Sequence, residues 1–196
     1  YHHHTPPTEA EFDLLLGLLR DRGVGLVGIS LRAGAYLPLC IDVTRRIREA
    51  LDVPVMWGGQ HVSMAPDDCL AHADFLLLGE AEQAVVEVAR AVAGGRDVAA
   101  LNNVWLLRDG EEIRNPLHPL RELDTLPRRD FHSVQDKFWI HRGRVIPGEP
   151  CRDDRIYLMT TSRGCLYKCG YCNVGVMRRL YEDHGTYFRY HSVAAV

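Results

Sequence analysis

The sequence predicts an α/β protein: half of a doubly wound parallel sheet with helices between its strands, then a connector and a further strand that leads into a cysteine-bearing loop. Three observations carry that reading. From Thr8 to about Gly94, short apolar runs bounded by glycine alternate with helical patterns, the order that calls for a parallel sheet. An Asp-Gly pair between two apolar runs then marks a hairpin. Near the C-terminal end, a strand-like run leads directly into three closely spaced cysteines.

The elements follow in order. Thr8-Glu9-Ala10-Glu11 is a capping box, and Phe12, Leu15, Leu16 and Leu19 continue at one-face helical spacing. Gly25 to Ser30 is a short apolar run and reads as a buried strand. A second helix carries Cys40, Val43, Ile47 and Leu51 on one face and leads into the strand Val53-Pro54-Val55-Met56-Trp57, with Gly58-Gly59 as its exit. Ala73 to Leu78 is a third strand, and the next helix places Val85, Val88, Ala89 and Val92 on one face before Gly94-Gly95 stops it. Val104 to Leu107 and Glu111 to Ile113 flank Asp109-Gly110, expected as a hairpin connector that packs the two domains together.

Ligands of doubly wound sheets bind outside the carboxyl ends of the strands. Those ends are Ser30, then Gly58-Gly59-Gln60-His61, then Gly79-Glu80-Ala81-Glu82. Glycine there permits close backbone approach, and a helix starting just behind offers free N–H groups. A plain tight turn is the competing reading of the glycine pair. His61 is read as an ordinary loop histidine, and so are His2, His3 and His4.

Cys165, Cys169 and Cys172 stand in the run Thr160-Thr161-Ser162-Arg163-Gly164-Cys165-Leu166-Tyr167-Lys168-Cys169-Gly170-Tyr171-Cys172. Three thiolates on one short loop make a metal site. A cluster of four irons takes four ligands, so three cysteines leave one iron open to a ligand from outside. A zinc knuckle needs a fourth protein ligand, and His184 is the only downstream candidate. Disulfides among cysteines three or four apart are poorly placed. Cys40 and Cys69 fall on predicted helices and read as small buried hydrophobes, whereas Cys151 has no assignment.

At these cysteines the chain resembles the radical S-adenosylmethionine superfamily, whose signature is Cys-x3-Cys-x2-Cys after the first strand of a partial (β/α) barrel. Ile156 to Thr161 is the strand-like run, Gly164 allows a tight exit, and Tyr171 is the aromatic residue before the last cysteine. The resemblance implies a 4Fe-4S cluster held by Cys165, Cys169 and Cys172, S-adenosyl-L-methionine chelating the open iron, and Tyr171 against its adenine. Lys168 and Arg163 are expected near the cluster, where cations ease its reduction.

Upstream, Gly58 to Ser63 and Ala73 to Glu82 resemble the fourth and fifth strands, with their loops, of the cobalamin-binding domain that precedes many radical S-adenosylmethionine enzymes. Ser30 matches the serine after the third strand. The carried-over contacts to the cofactor tail are Ser30, Gly58 and Gly59, with Gly79 a lesser candidate; Ala81 stands where a glycine is common. Leu120 to Phe131 resembles the segment leading into the barrel. The implied division is residues 1–96 as the C-terminal part of a Rossmann-like cobalamin-binding sheet, 97–155 as connector, and 156–196 as the truncated start of the radical domain.

The resemblance thus implies an enzyme that cleaves S-adenosylmethionine reductively, with cobalamin-dependent methyl transfer to an unreactive carbon. Alternatives are a radical enzyme whose cobalamin domain is vestigial, and a non-catalytic cobalamin-binding or electron-transfer module. Expected partners are a small-molecule or peptide substrate and an external electron donor. The first sheet strands and most of the barrel are expected outside these residues, which alone should be inactive. A net charge of -3 argues against a nucleic-acid surface. No apolar run reaches the ~20 residues that cross a bilayer, and unpaired thiols suit the cytoplasm.

Overall fold

The computed structural model describes residues 6–127, 136–148 and 159–195. Its elements are, in order, α1 (Glu9–Asp21), β1 (Val27–Ser30), α2 (Leu37–Ala50), β2 (Val55–Gly58), α3 (Gln60–Met64), β3 (Phe75–Leu77) and α4 (Glu82–Ala93). Then come β4 (Val104–Arg108), β5 (Glu111–Arg114), β6 (Phe138–His141), β7 (Arg144–Pro147), β8 (Ser162–Arg163), α5 (Val174–Leu180) and β9 (Arg189–Tyr190). The chain divides into two compact units, Tyr1–Val24 with Pro127–Thr160, and Gly25–Leu126 with Thr161–Val196.

The first unit contains α1 and the β6–β7 hairpin. The capping box forms as expected: Glu11 N–H donates to Thr8 Oγ1 at 3.3 Å, and Thr8 N–H donates to Glu11 Oε2 at 2.9 Å. A cap of this kind contributes about 1 kcal/mol. The Thr8 N–H, then the Gly143 N–H and the Thr8 hydroxyl, hold the Glu11 carboxyl below its usual value. β6 and β7 pair antiparallel from Phe138↔Pro147 to His141↔Arg144. Arg22 lies over the Phe138 ring at 4.2 Å, a cation–π contact that ties the end of α1 to the hairpin.

The second unit is built on a sheet of order β1-β2-β3-β4-β5. β1, β2 and β3 run parallel, in register from Val27↔Val55 to Ser30↔Gly58 and from Met56↔Phe75 to Trp57↔Leu76. The Asp109-Gly110 hairpin forms where expected, with both residues at positive φ. It is nevertheless more than a connector: β4 pairs antiparallel with β3 through Leu76↔Trp105 and Leu77↔Val104, so the hairpin extends the sheet and makes it mixed.

Asn103 brings about that reversal. It holds φ 64, a left-handed conformation that asparagine tolerates better than most residues. Its side chain is buried, donates to Leu78 O at 2.7 Å and accepts from His118 N–H at 2.8 Å. Leu78 N–H returns a bond to Asn103 O at 3.0 Å. The side-chain amide and both backbone groups of Asn103 therefore have partners, as burial requires.

Phe75, Leu77, Ala84, Val88, Val104 and Leu106 form one buried cluster between the sheet and α4. α4 presents Ala84, Val88 and Ala91 to the core, a face turned from the expected Val85, Val88, Ala89 and Val92, and Ala89 is exposed. The alanines let the helix approach the strands closely. α2 likewise buries Cys40, Thr44 and Ile47. Thr44 replaces Val43 in the expected face because its Oγ1 accepts the indole N–H of the buried Trp57 at 2.8 Å. Cys69 is buried as expected but lies in a turn after α3 rather than on a helix. Among the described residues no helix is long and apolar enough to cross a membrane.

Candidate functional site

Three strand ends meet at one edge of the sheet. Ser30, the last residue of β1, is in register with Gly58 of β2. Gly59 follows at φ 101, and a side chain there would meet Leu31 O at 2.8 Å and Ser30 Oγ at 3.0 Å. The structure thus brings Ser30, Gly58 and Gly59 together. The glycine requirement at position 59 comes from the chain's own backbone. His61 N–H, one of the amides expected to be free behind the glycines, donates instead to Leu31 O at 3.0 Å. His61 belongs to α3, its ring lies against Gly34, and its Nε2 is buried without a hydrogen-bond partner.

Gly79, at the end of β3, has φ 71 and lies directly against the Tyr181 hydroxyl. Its N–H donates to Ser63 Oγ at 2.8 Å, and Ser63 Oγ in turn donates to Gly59 O at 3.2 Å. Gly79 is therefore linked to the other strand ends by hydrogen bonds, while the space above it is filled by Tyr181, a residue only 2% exposed.

The cysteine loop joins β8 to α5. Ile156 to Leu158 of the expected preceding strand, and Cys151, lie outside the described residues; Ser162 and Arg163 pair antiparallel with Tyr190 and Arg189. Gly164 turns the chain at φ 86 directly beneath the Tyr187 carbonyl, which no side chain at position 164 would allow. Arg178, on α5, donates through Nη2 to Cys165 O and lies 3.5 Å from Tyr167 O, holding the start of the loop from behind. The thiols differ in access: Cys165 and Cys172 are half-buried and Cys169 is exposed. Tyr167 is 74% and Tyr171 94% exposed, so the Tyr171 ring stands free of the protein surface.

A cavity of about 550 Å³ adjoins the loop, lined by Cys169, Cys172, Lys168, Arg178 and Arg179 among others. Among the described residues, no three His, Cys, Asp or Glu side chains are gathered as metal ligands. The donor set nonetheless fits an iron–sulfur cluster in kind: three free thiols on one short loop, Cys169 and Cys172 lining the cavity, with cations beside them. Gathering the sulfurs would fall to the metal itself, as is usual where binding and ordering are coupled.

Arg163 does not serve the loop as a free cation. Its Nη1 lies 3.0 Å from Glu80 Oε2 and 2.6 Å from Glu82 Oε1. Burial works against its charge, but the two carboxylates outweigh burial and hold its pKa above the usual range. Arg189, 7% exposed, pairs with the other oxygen of Glu80 and donates to Arg121 O. Tyr181 accepts the Glu80 N–H through its hydroxyl, and burial raises the pKa of that phenol. Glu80, Arg189 and Tyr181 were not singled out in the sequence. The only signal was the short strand-end run Gly79-Glu80-Ala81-Glu82, which reads equally well as a ligand loop.

Residues 5–89 match the family model of the B12 binding domain. Over 98% of its length the chain has the fold of the radical S-adenosylmethionine methyltransferase TsrM from Kitasatospora setae with tryptophan substrate and the analog aza-SAM bound, at TM-score 0.63 and 21% identity. The TsrM structure with cobalamin and a 4Fe-4S cluster bound matches 100% of the chain at TM-score 0.55 and 18% identity. The chain spans 42% and 43% of those two chains, less than half of either. No curated protein matches. The resemblance read from the strand ends thus agrees with the B12 binding domain match over residues 5–89, and the Rossmann-like sheet lies in the fold of TsrM.

Proposed function

We propose that these residues belong to a cobalamin-dependent radical S-adenosylmethionine enzyme that transfers a methyl group to an unreactive carbon. The single observation that supports this most is the joining, in one compact unit, of a B12-binding sheet to a Cys-x3-Cys-x2-Cys loop fastened against its strand ends. When bound, an iron–sulfur cluster supplies the electron that cleaves S-adenosylmethionine, and cobalamin supplies the methyl group.

The chain's own residues bind and orient. Cys165, Cys169 and Cys172 would hold three irons, leaving the fourth to S-adenosylmethionine. Arg178 keeps the first turn of the loop in place through the Cys165 and Tyr167 carbonyls. The exposed Tyr171 ring offers an apolar face for an adenine. Ser30, Gly58 and Gly59 form a low rim at the strand ends for the cofactor tail. The substrate, a small molecule or a peptide, and an external electron donor would be met by parts of the protein beyond these residues, in the reducing cytoplasm. These residues alone would then be inactive.

The experiment is anaerobic reconstitution of the full-length protein. About four irons per chain, an electron paramagnetic resonance signal that changes on adding S-adenosylmethionine, and cobalamin absorbance are expected. Stoichiometric zinc without iron would overturn the cluster reading. Full activity without cobalamin would reduce the first domain to a structural remnant.

A further inference from the structure

Glu80 stands three residues past β3, inside the run that resembles a cofactor loop, yet its side chain and N–H face the C-terminal segment. One carboxylate oxygen meets Arg163 of β8 at 3.0 Å, and the other meets Arg189 of β9. Its backbone N–H donates to the hydroxyl of Tyr181, just past α5. Both strands of the β8–β9 pair and the end of the helix after the cysteines therefore converge on one residue. Arg163 is two positions before Cys165, so this carboxylate fixes the entrance of the cysteine loop.

Exposed ion pairs contribute little, but this one is different in kind. Arg189 is 7% exposed and Glu80 is half-buried. Two guanidinium groups face two carboxylates, Glu80 and Glu82, so the group is balanced in charge. Removing Glu80 would leave Arg189 buried without its counter-ion, the situation in which a broken buried pair is most costly. Tyr181 also covers Gly79, which closes the same contact from the other side.

We propose that Glu80 is a positioning residue that clamps the cysteine loop to the strand ends of the B12-binding sheet and so sets the placement of the metal-binding cysteines relative to that sheet. Gly79 then serves the clamp, as the gap that admits Tyr181, rather than a cofactor tail. The functional half of the proposal rests on the reading that the cysteines hold a cluster; the structural half does not.

The test uses Glu80→Gln and, as a milder release of one arm only, Arg163→Gln, both in the full-length protein. Hydrogen exchange is measured without metal. Residues 162–167 are expected to exchange about tenfold faster in Glu80→Gln, and less so in Arg163→Gln, while β1 and β2 keep their protection. After reconstitution, cleavage of S-adenosylmethionine to 5′-deoxyadenosine should persist while methylated product per cleavage falls. Unchanged loop exchange in both variants would overturn the clamp. Faster exchange in Glu80→Gln with an unchanged product ratio would confine Glu80 to folding and overturn the positioning role. Faster exchange in a protein that takes up no iron as wild type would keep the clamp and refute the cluster reading instead.

Discussion

The strand ends of the sheet and the cysteine loop lie in one compact unit and are opposite in construction. At the strand ends the protein completes itself: Gly59 is filled by Ser30 and Leu31, Gly79 by Tyr181, and the amide of His61 by Leu31 O. On the loop it does not. Cys169 is exposed, Tyr171 and Tyr167 project outward, and the sulfurs are not gathered. The first region is a finished surface. The second is a set of thiols left ungathered, held only at its entrance and its rear.

That contrast is broken most severely from within the sheet. Trp57→Ala empties a fully buried position under α2 and removes the bond to Thr44, at an expected cost of about 3–5 kcal/mol in denaturant unfolding. A stable Trp57→Ala protein would mean that the sheet is less finished than it looks. Gly59→Leu should come next, at about 1–3 kcal/mol for the strained backbone and more for the collision with Leu31 O at 2.8 Å. Cobalamin absorbance should be lost with it, while iron uptake by the cysteines is retained.

Thr44→Val keeps the shape of the core and orphans the Trp57 indole, so about 1–3 kcal/mol should be lost without any change in ligand uptake. An alkaline titration probes the same core. Burial, then Asp68 and Cys40, push the Cys69 thiol up to about 11 from 9.0. The unfolded chain releases this proton first, so the stabilisation is complete below pH 9 and is lost as pH rises toward about 11. Cys69→Ala should flatten the dependence of the unfolding midpoint on pH across that window. Smallest of all is Tyr171→Ala, expected within about 0.5 kcal/mol of wild type in stability because the ring is 94% exposed. Its effect should show in the affinity for S-adenosylmethionine alone.

What could be read in the sequence divides along similar lines. The three parallel strands, the capping box at Thr8 and the Asp109-Gly110 turn were legible because each rests on local pattern or turn chemistry. The faces of α2 and α4 were read slightly rotated. Apolar spacing alone cannot foresee that Thr44 would be drawn inward by Trp57, or that the sheet would select the alanines of α4. The addition of β4 to β3 was missed because strand partners are a tertiary choice. In the candidate site, the meeting of Ser30 with Gly58-Gly59 was legible from their positions at strand ends. Glu80 fell in a noticed strand-end run, but nothing in the sequence paired it with Tyr181 and Arg189, about a hundred residues away. Arg163 was noticed as a cation beside the cysteine motif, but its pairing with Glu80 and Glu82 was not, since such a cation suggests the metal before it suggests a distant glutamate.

The side chain of Asn103 bonds to Leu78 O and His118 N–H where strand direction reverses. If β4 slid by one position along β3, Trp105 would turn toward α4 and Val104 and Leu106 away from it, since alternate residues of a strand face opposite sides. The same slip would strand a buried amide, at about 1–3 kcal/mol beyond the lost apolar contacts. Misaligned versions of the sheet are thus penalised by a single polar residue, and the hairpin can add to the parallel strands in only one alignment.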